Sequence, residues 1–216
     1  MNLAKHIDHT LLKADCTQSE IEKLCSEAVQ FNMAAVCVPP FYVDAAKNFL
    51  AGTDVQLATV IGFPLGYNTT FTKVEEARKA IDDGADELDM VMNITAFKSK
   101  QFIAVANDID SVCTLAHLHN KKVKVIIESG LLSEEEIKTA CKICIDANAD
   151  FVKTSTGMLG AGATVEVVKL IRSCLPQHMQ VKASGGIRNK IFALDLITAG
   201  AERLGTSAGV SILNEA

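Results

Sequence analysis

The chain has 216 residues, 49% of them hydrophobic, and a net charge of −5, a size that suits one α/β-barrel domain spanning residues 1–216. No apolar run approaches the ~20 residues of a membrane span, and the opening MNLAKHIDHT lacks the apolar stretch of a secretion signal, so a cytoplasmic protein outside the membrane is expected. No Lys/Arg cluster forms a basic stripe, which excludes nucleic acid as a partner; an anionic small molecule stays open, because a pocket can be positive in an acidic protein.

In chain order, a short HID segment near His6 to Asp8 reads as a first strand, with His9 expected to orient the N-terminal turn. β-branched runs follow at Ala34 to Val38, Leu57 to Gly62, Glu87 to Met92, Val123 to Glu128, Phe151 to Ser155, Val181 to Ser184 and Arg203 to Ser207. The segments between them suit crossover helices and hence parallel strands. Gly84-Ala85-Asp86, Asn148-Ala149-Asp150 and Gly200-Ala201-Glu202 each fall between a helical pattern and a strand. Gly and Asn tolerate the left-handed conformation that ends a helix, so one βα unit is being reused. A closed (β/α)8 TIM barrel and an open doubly wound sheet both fit; no GxGxxG follows the early strands, which favours the barrel.

Ser133 and Glu136 form a capping box, and Ile137, Ala140, Cys141, Cys144 and Ile145 fall on one face of the helix that follows. The CxxC at Cys141 and Cys144 therefore lies inside an apolar stripe and is read as core packing. The seven cysteines are odd in number and irregularly spaced, as expected of reduced thiols used as small hydrophobes; this includes Cys37, which ends a strand. His9, His117, His119 and His178 offer no pair with the helical spacing and carboxylate of a zinc site, so no metal and no cofactor is expected.

Side chains alternate across a strand, so Glu87, Asp89, Val91 and Asn93 share one side, as do Lys122, Lys124, Ile126 and Glu128. The outer side of a barrel strand packs on apolar helices, which directs Asp89, Lys124 and Lys153 into the lumen. There they form either an ion-pair ladder or an active site. Lys153 and Lys182 lie on consecutive strands. Two ammonium groups at ~6 Å with an effective dielectric of ~20 repel by roughly 3 kcal/mol, about two pKa units, and desolvation adds to this. Such a lysine approaches neutrality and can attack a carbonyl; which of the two does so stays open. The loops STGMLGAG, SGGIR and GTSAG are rich in glycine, and the second and third follow the last two strands, where barrels often hold phosphate, with Arg188 beside one of them.

The motifs HIDHTLLK, VIGFPLG, ADELDMV, KVIIESG, FVKTSTG, VKASGGIR and RLGTSAG, in that order from His6 to about Leu213, resemble the deoxyribose-phosphate aldolase family. The resemblance implies a (β/α)8 barrel, a metal-free class I aldolase, a phosphorylated sugar substrate and a homo-oligomer, often a dimer. The implied reaction reversibly cleaves 2-deoxy-D-ribose 5-phosphate to glyceraldehyde 3-phosphate and acetaldehyde. By resemblance Lys153 is the Schiff-base lysine, Lys182 the lysine beside it and Asp89 the proton-transfer acid. The phosphate contacts correspond to Gly157, Gly185, Gly186, Gly205 and Ser207, with Arg188 nearby. Met158 stands where some members carry lysine, and the sequence ends at Asn214-Glu215-Ala216 rather than in a tyrosine-bearing tail, which is expected to affect turnover more than substrate identity. A transaldolase-like enzyme would share the barrel but not the full motif set; a sugar-phosphate sensor would have no use for Asp89, Lys153 and Lys182 together.

Overall fold

The computed structural model describes residues 2–215. Eight parallel strands close on themselves in sequence order: β1 Ile7–Thr10, β2 Ala35–Val38, β3 Gln56–Ile61, β4 Glu87–Val91, β5 Lys122–Ile126, β6 Phe151–Lys153, β7 Gln180–Ser184 and β8 Arg203–Thr206. β8 pairs with β1 through Ile7 opposite Leu204 and Asp8 opposite Gly205, so the sheet has no edge. All eight expected strands are present, including the short first one, and the open-sheet alternative falls away.

Helices follow each strand: α1 Gln18–Gln30, α2 Val43–Phe49, α3 Thr70–Asp82, α4 Ile94–Lys98, α5 Phe102–Leu118, α6 Glu134–Asp146, α7 Val165–Cys174, α8 Lys190–Thr198 and α9 Gly209–Asn214. Local chemistry sets their starts. Ser133 caps α6 in a reciprocal box with Glu136, Thr17 and Glu20 do the same for α1, and the Thr164 side chain accepts from Val167 N–H at the start of α7. The three repeated triplets sit at helix ends as expected, with φ of +103° at Gly84, +54° at Asn148 and +110° at Gly200.

Alternation along the strands separates two apolar layers. Outward residues such as Leu57, Ile61, Leu88, Met90, Val123, Val125 and Leu204 join the helices in one large core. Cys141 and Cys144 are buried within it, as their place on the apolar stripe predicts. Cys37, Ala58 and Val60 form a small separate cluster with Leu12 and Phe63, so Cys37 is a buried thiol facing inward. Cys16 and Cys174 are half-buried free thiols that pack against the large core, as small hydrophobes do. One sequence expectation needs adjustment. Lys122 and Glu128 do not continue the lumen face of β5: Lys122 is exposed at the start of the strand, and Glu128 lies beyond its end with φ +51°. Among the described residues, no helix is long and apolar enough to cross a membrane.

Candidate active site

The lumen holds a ladder of charges drawn from opposite sides of the barrel. Asp89 on β4 accepts through Oδ1 from Lys124 Nζ at 2.6 Å, and through Oδ2 from Lys153 Nζ at 2.8 Å and Lys182 Nζ at 2.7 Å. Lys182 also donates to Asp8 of β1. Nearer the start of the strands, Arg203 spans Asp8 (Nε to Oδ1, 2.6 Å) and Glu87 (3.0 and 2.9 Å), while Lys124 pairs with Glu87 at 2.7 Å. Residues on β1, β4 and β7 can meet this way only across the interior, so Asp89, Lys124 and Lys153 do face the lumen. Three carboxylates, Asp8, Glu87 and Asp89, thus face four cations, Lys124, Lys153, Lys182 and Arg203. The cluster balances when one amine gives up its proton.

The environments of the lysines differ. Burial works against the charge on Lys182, but Asp8 and Asp89 more than offset it and hold its pKa above the usual lysine value. Lys124 is likewise raised: Asp89 and Glu87 outweigh its burial. Lys153 moves the other way. Burial is the main cause of its lowered pKa, Asp89 opposes the shift and the charge on Lys182 adds to it. Desolvation thus outweighs repulsion in lowering Lys153, the reverse of the order expected from strand spacing, because barrel closure buries the amine. Burial pushes Asp89 upward, yet Lys124, Lys153 and Lys182 together keep its carboxyl well below the usual range.

A cavity of about 260 Å³ opens at the C-terminal end of the barrel, where barrel enzymes place their sites. Lys153 lines it; Lys182, Lys124 and Asp89 do not, since they lie deeper and are fully buried. The same cavity gathers Gly157, Gly185, Gly186, Arg188, Gly205 and Ser207, every residue expected at a phosphate site. Met158 is also on its wall, half-exposed. A larger neighbouring hollow of about 380 Å³ is lined by Leu12, Pro39, Phe41, Tyr42 and Phe63, and reaches none of the lumen lysines; the chemistry belongs to the smaller one.

Sequence reasoning missed Asp8, Arg203, Thr156, Ser184 and Thr206. Asp8 stands alone in a four-residue strand, too short for alternation to show, and Arg203 opens its strand like an ordinary surface residue. Thr156, Ser184 and Thr206 line the cavity, and Thr206 Oγ1 ties its loop down by donating to Ile187 O at 2.7 Å. His9, expected to orient the N-terminal turn, donates through Nε2–H to Glu27 Oε2 at 2.8 Å, linking β1 to α1. Among the described residues, no group of three or more His, Cys, Asp or Glu side chains is placed to share a metal ion.

The family described as DeoC/LacD family aldolase matches residues 2–216. The chain belongs to that family. A Thermococcus gammatolerans protein named deoxyribose-phosphate aldolase is 53% identical to this aldolase over 100% of the chain and 97% of that protein. A Brevibacillus brevis protein of the same name is 50% identical over 100% of the chain and 97% of that protein. The solved deoxyribose phosphate aldolase of Aeropyrum pernix superposes with a TM-score of 0.92 at 35% identity, over 98% of the chain and 89% of that structure. An orotidine 5'-phosphate decarboxylase from Pyrococcus horikoshii, at 16% identity and TM-score 0.68, shares the fold alone.

Proposed function

We propose that residues 1–216 form one catalytic domain that reversibly cleaves 2-deoxy-D-ribose 5-phosphate to glyceraldehyde 3-phosphate and acetaldehyde through a Schiff base on Lys153. One observation carries this reading: of the three lysines bonded to Asp89, only Lys153 both reaches the cavity and has a pKa lowered by its surroundings. A free amine facing a glycine-rich pocket is what attack on a sugar-phosphate aldehyde requires.

The Lys153 amine attacks C1 of the open-chain sugar, and loss of water from the carbinolamine leaves a protonated imine. The products have two and three carbons, so the bond that breaks is C2–C3. Its electron pair flows toward the iminium nitrogen to give an enamine, and the C3 hydroxyl loses its proton as C3 becomes the aldehyde of glyceraldehyde 3-phosphate. Protonation of the enamine and hydrolysis release acetaldehyde and the free lysine. Asp89, hydrogen-bonded to both Lys153 and Lys182, supports proton exchange beside the reacting nitrogen, work that contributes ~10² to 10⁴ in rate. Lys182 keeps a positive charge beneath the site and holds the amine of Lys153 unprotonated more of the time. Gly157, Gly185, Gly186, Gly205, Ser207 and Arg188 anchor the phosphate, which places the aldehyde over Lys153.

The reading extends to a cytoplasmic homo-oligomer, with the resemblance favouring a dimer; the Aeropyrum pernix relative is described as tetrameric. Borohydride added with 2-deoxyribose 5-phosphate is expected to leave a reduced adduct on Lys153, found by peptide mass mapping, and acetaldehyde release should persist in the presence of a chelator. An adduct on another lysine, or no acetaldehyde, refutes the assignment.

A further inference from the structure

We infer that Glu128 is a positioning residue for the loop at the phosphate end of the site, an inference that rests on the reading of Gly157 as a phosphate contact. Glu128 follows β5 and is fully buried, in the left-handed region at φ +51°. Its Oε2 accepts two hydrogen bonds from a single residue of the next βα loop: Thr156 N–H at 3.0 Å and Thr156 Oγ1–H at 2.6 Å. Thr156 Oγ1 in turn accepts from Met158 N–H at 3.1 Å. The residues on both sides of Gly157 are therefore tied, through one hydroxyl, to one carboxylate oxygen on the neighbouring strand's loop.

Two unfavourable local features meet at this position. A non-glycine residue is held at positive φ, and Oε1 is buried with no hydrogen-bond partner among the described residues. Features of this kind persist where the surrounding structure needs the residue for something other than stability. Glu128 does not line the cavity, and a carboxylate has nothing to donate to a phosphate. Its action is indirect: it occupies the donors of Thr156 and fixes the path of the Thr156–Met158 segment. The far side of the loop is held by backbone, with Ala163 N–H donating to Ser184 O and Gly185 O, so release of Glu128 frees the side that carries Gly157. That segment begins three residues after Lys153, so its path couples the phosphate end of the pocket to the amine.

The test compares kcat/KM for 2-deoxyribose 5-phosphate with kcat/KM for unphosphorylated 2-deoxyribose in the full-length wild type and in Glu128→Ala, Glu128→Gln and Thr156→Val. The preference for the phosphorylated sugar is expected to fall about tenfold or more in Glu128→Ala and Thr156→Val, the effect of losing hydrogen bonds to a charged acceptor. Glu128→Gln should stay within about threefold of wild type, because an amide oxygen accepts the same two bonds. Equal losses on both sugars, or an unchanged preference, overturn the inference. Should Glu128→Ala fail to fold, Thr156→Val decides on the same criterion. A wild type that cleaves 2-deoxyribose 5-phosphate while the variants keep its preference overturns only the role of Glu128; a wild type that cleaves neither sugar overturns the proposed function and this inference with it.

Discussion

Lys153 and Lys182 donate to the same oxygen, Asp89 Oδ2, at 2.8 and 2.7 Å. Two ammonium groups on one acceptor repel each other, and the repulsion falls on the amine with fewer carboxylates. Lys182 has Asp8 as well; among the described residues Lys153 has only Asp89. The proton is therefore weakly held on the lysine that faces the cavity.

The pH–rate profile should carry this asymmetry. Protonated Lys153 cannot attack, so kcat/KM is expected to rise with pH along a limb lying below the ordinary lysine value of 10.5. Lys182→Leu removes the neighbouring charge and leaves Asp89 more available to Lys153. Both effects favour the protonated amine, so the limb should move to higher pH while activity at neutral pH falls. A limb that stays in place would refute the role given to Lys182.

Asp8 should contribute stability at neutral pH that is lost in acid. Burial raises its pKa, but Lys182, Arg203 and Lys124 bring it down from 3.8 to about 2. Its folded pKa is depressed, so its contribution is present above the unfolded value and lost as pH falls toward 2. A shift of that size corresponds to about 2 kcal/mol. Asp8→Asn is expected to lower the melting temperature at pH 7, where breaking a buried pair costs ~3 to 5 kcal/mol, and to flatten the fall in stability between pH 4 and 2. Calorimetry across that range checks both; equally steep acid limbs in the two proteins would count against it.

Two loop glycines should differ in cost. A Cβ on Gly162 would come within 2.2 Å of Gly185 O, backbone against backbone, so the loops after β6 and β7 would have to part. A Cβ on Gly186 meets nothing within 4 Å, though its φ is +79°. Gly186→Ala is expected to cost ~1 to 2 kcal/mol from the left-handed conformation alone, and Gly162→Ala ~3 kcal/mol or more by overpacking. Urea unfolding gives the order, and a reversed order would show that the two loops separate easily.

Lys73 separates burial from chemistry. It is fully buried, its pKa is lowered chiefly by desolvation, and it pairs with Asp108 at 2.5 Å and donates to Val91 O at 2.9 Å. By these measures it resembles a reactive amine, yet it lies on α3 outside the barrel and lines neither cavity described above. Lys73→Met should cost ~3 to 5 kcal/mol in stability by leaving Asp108 unpaired. The folded fraction should keep the wild-type pH limb, and borohydride should leave no adduct on Lys73 in the wild type. Trapped sugar at that position would contradict the site assignment.

The sequence by itself determined the elements and the chemical inventory. Strand alternation, the Ser133 and Glu136 box and the Gly84, Asn148 and Gly200 turns depend on neighbours a few residues away, so they were legible along the chain, as was the oddity of Lys153 and Lys182 in apolar strands. Only the tertiary structure decided which lysine is uncompensated. That depends on partners far off in sequence: Asp8 meets Lys182 across 174 residues and Arg203 across 195. Barrel closure also sets the desolvation that outweighs the attraction of Asp89 for Lys153. Burial and charge balance are properties of the assembled lumen, and a linear pattern of residues does not contain them.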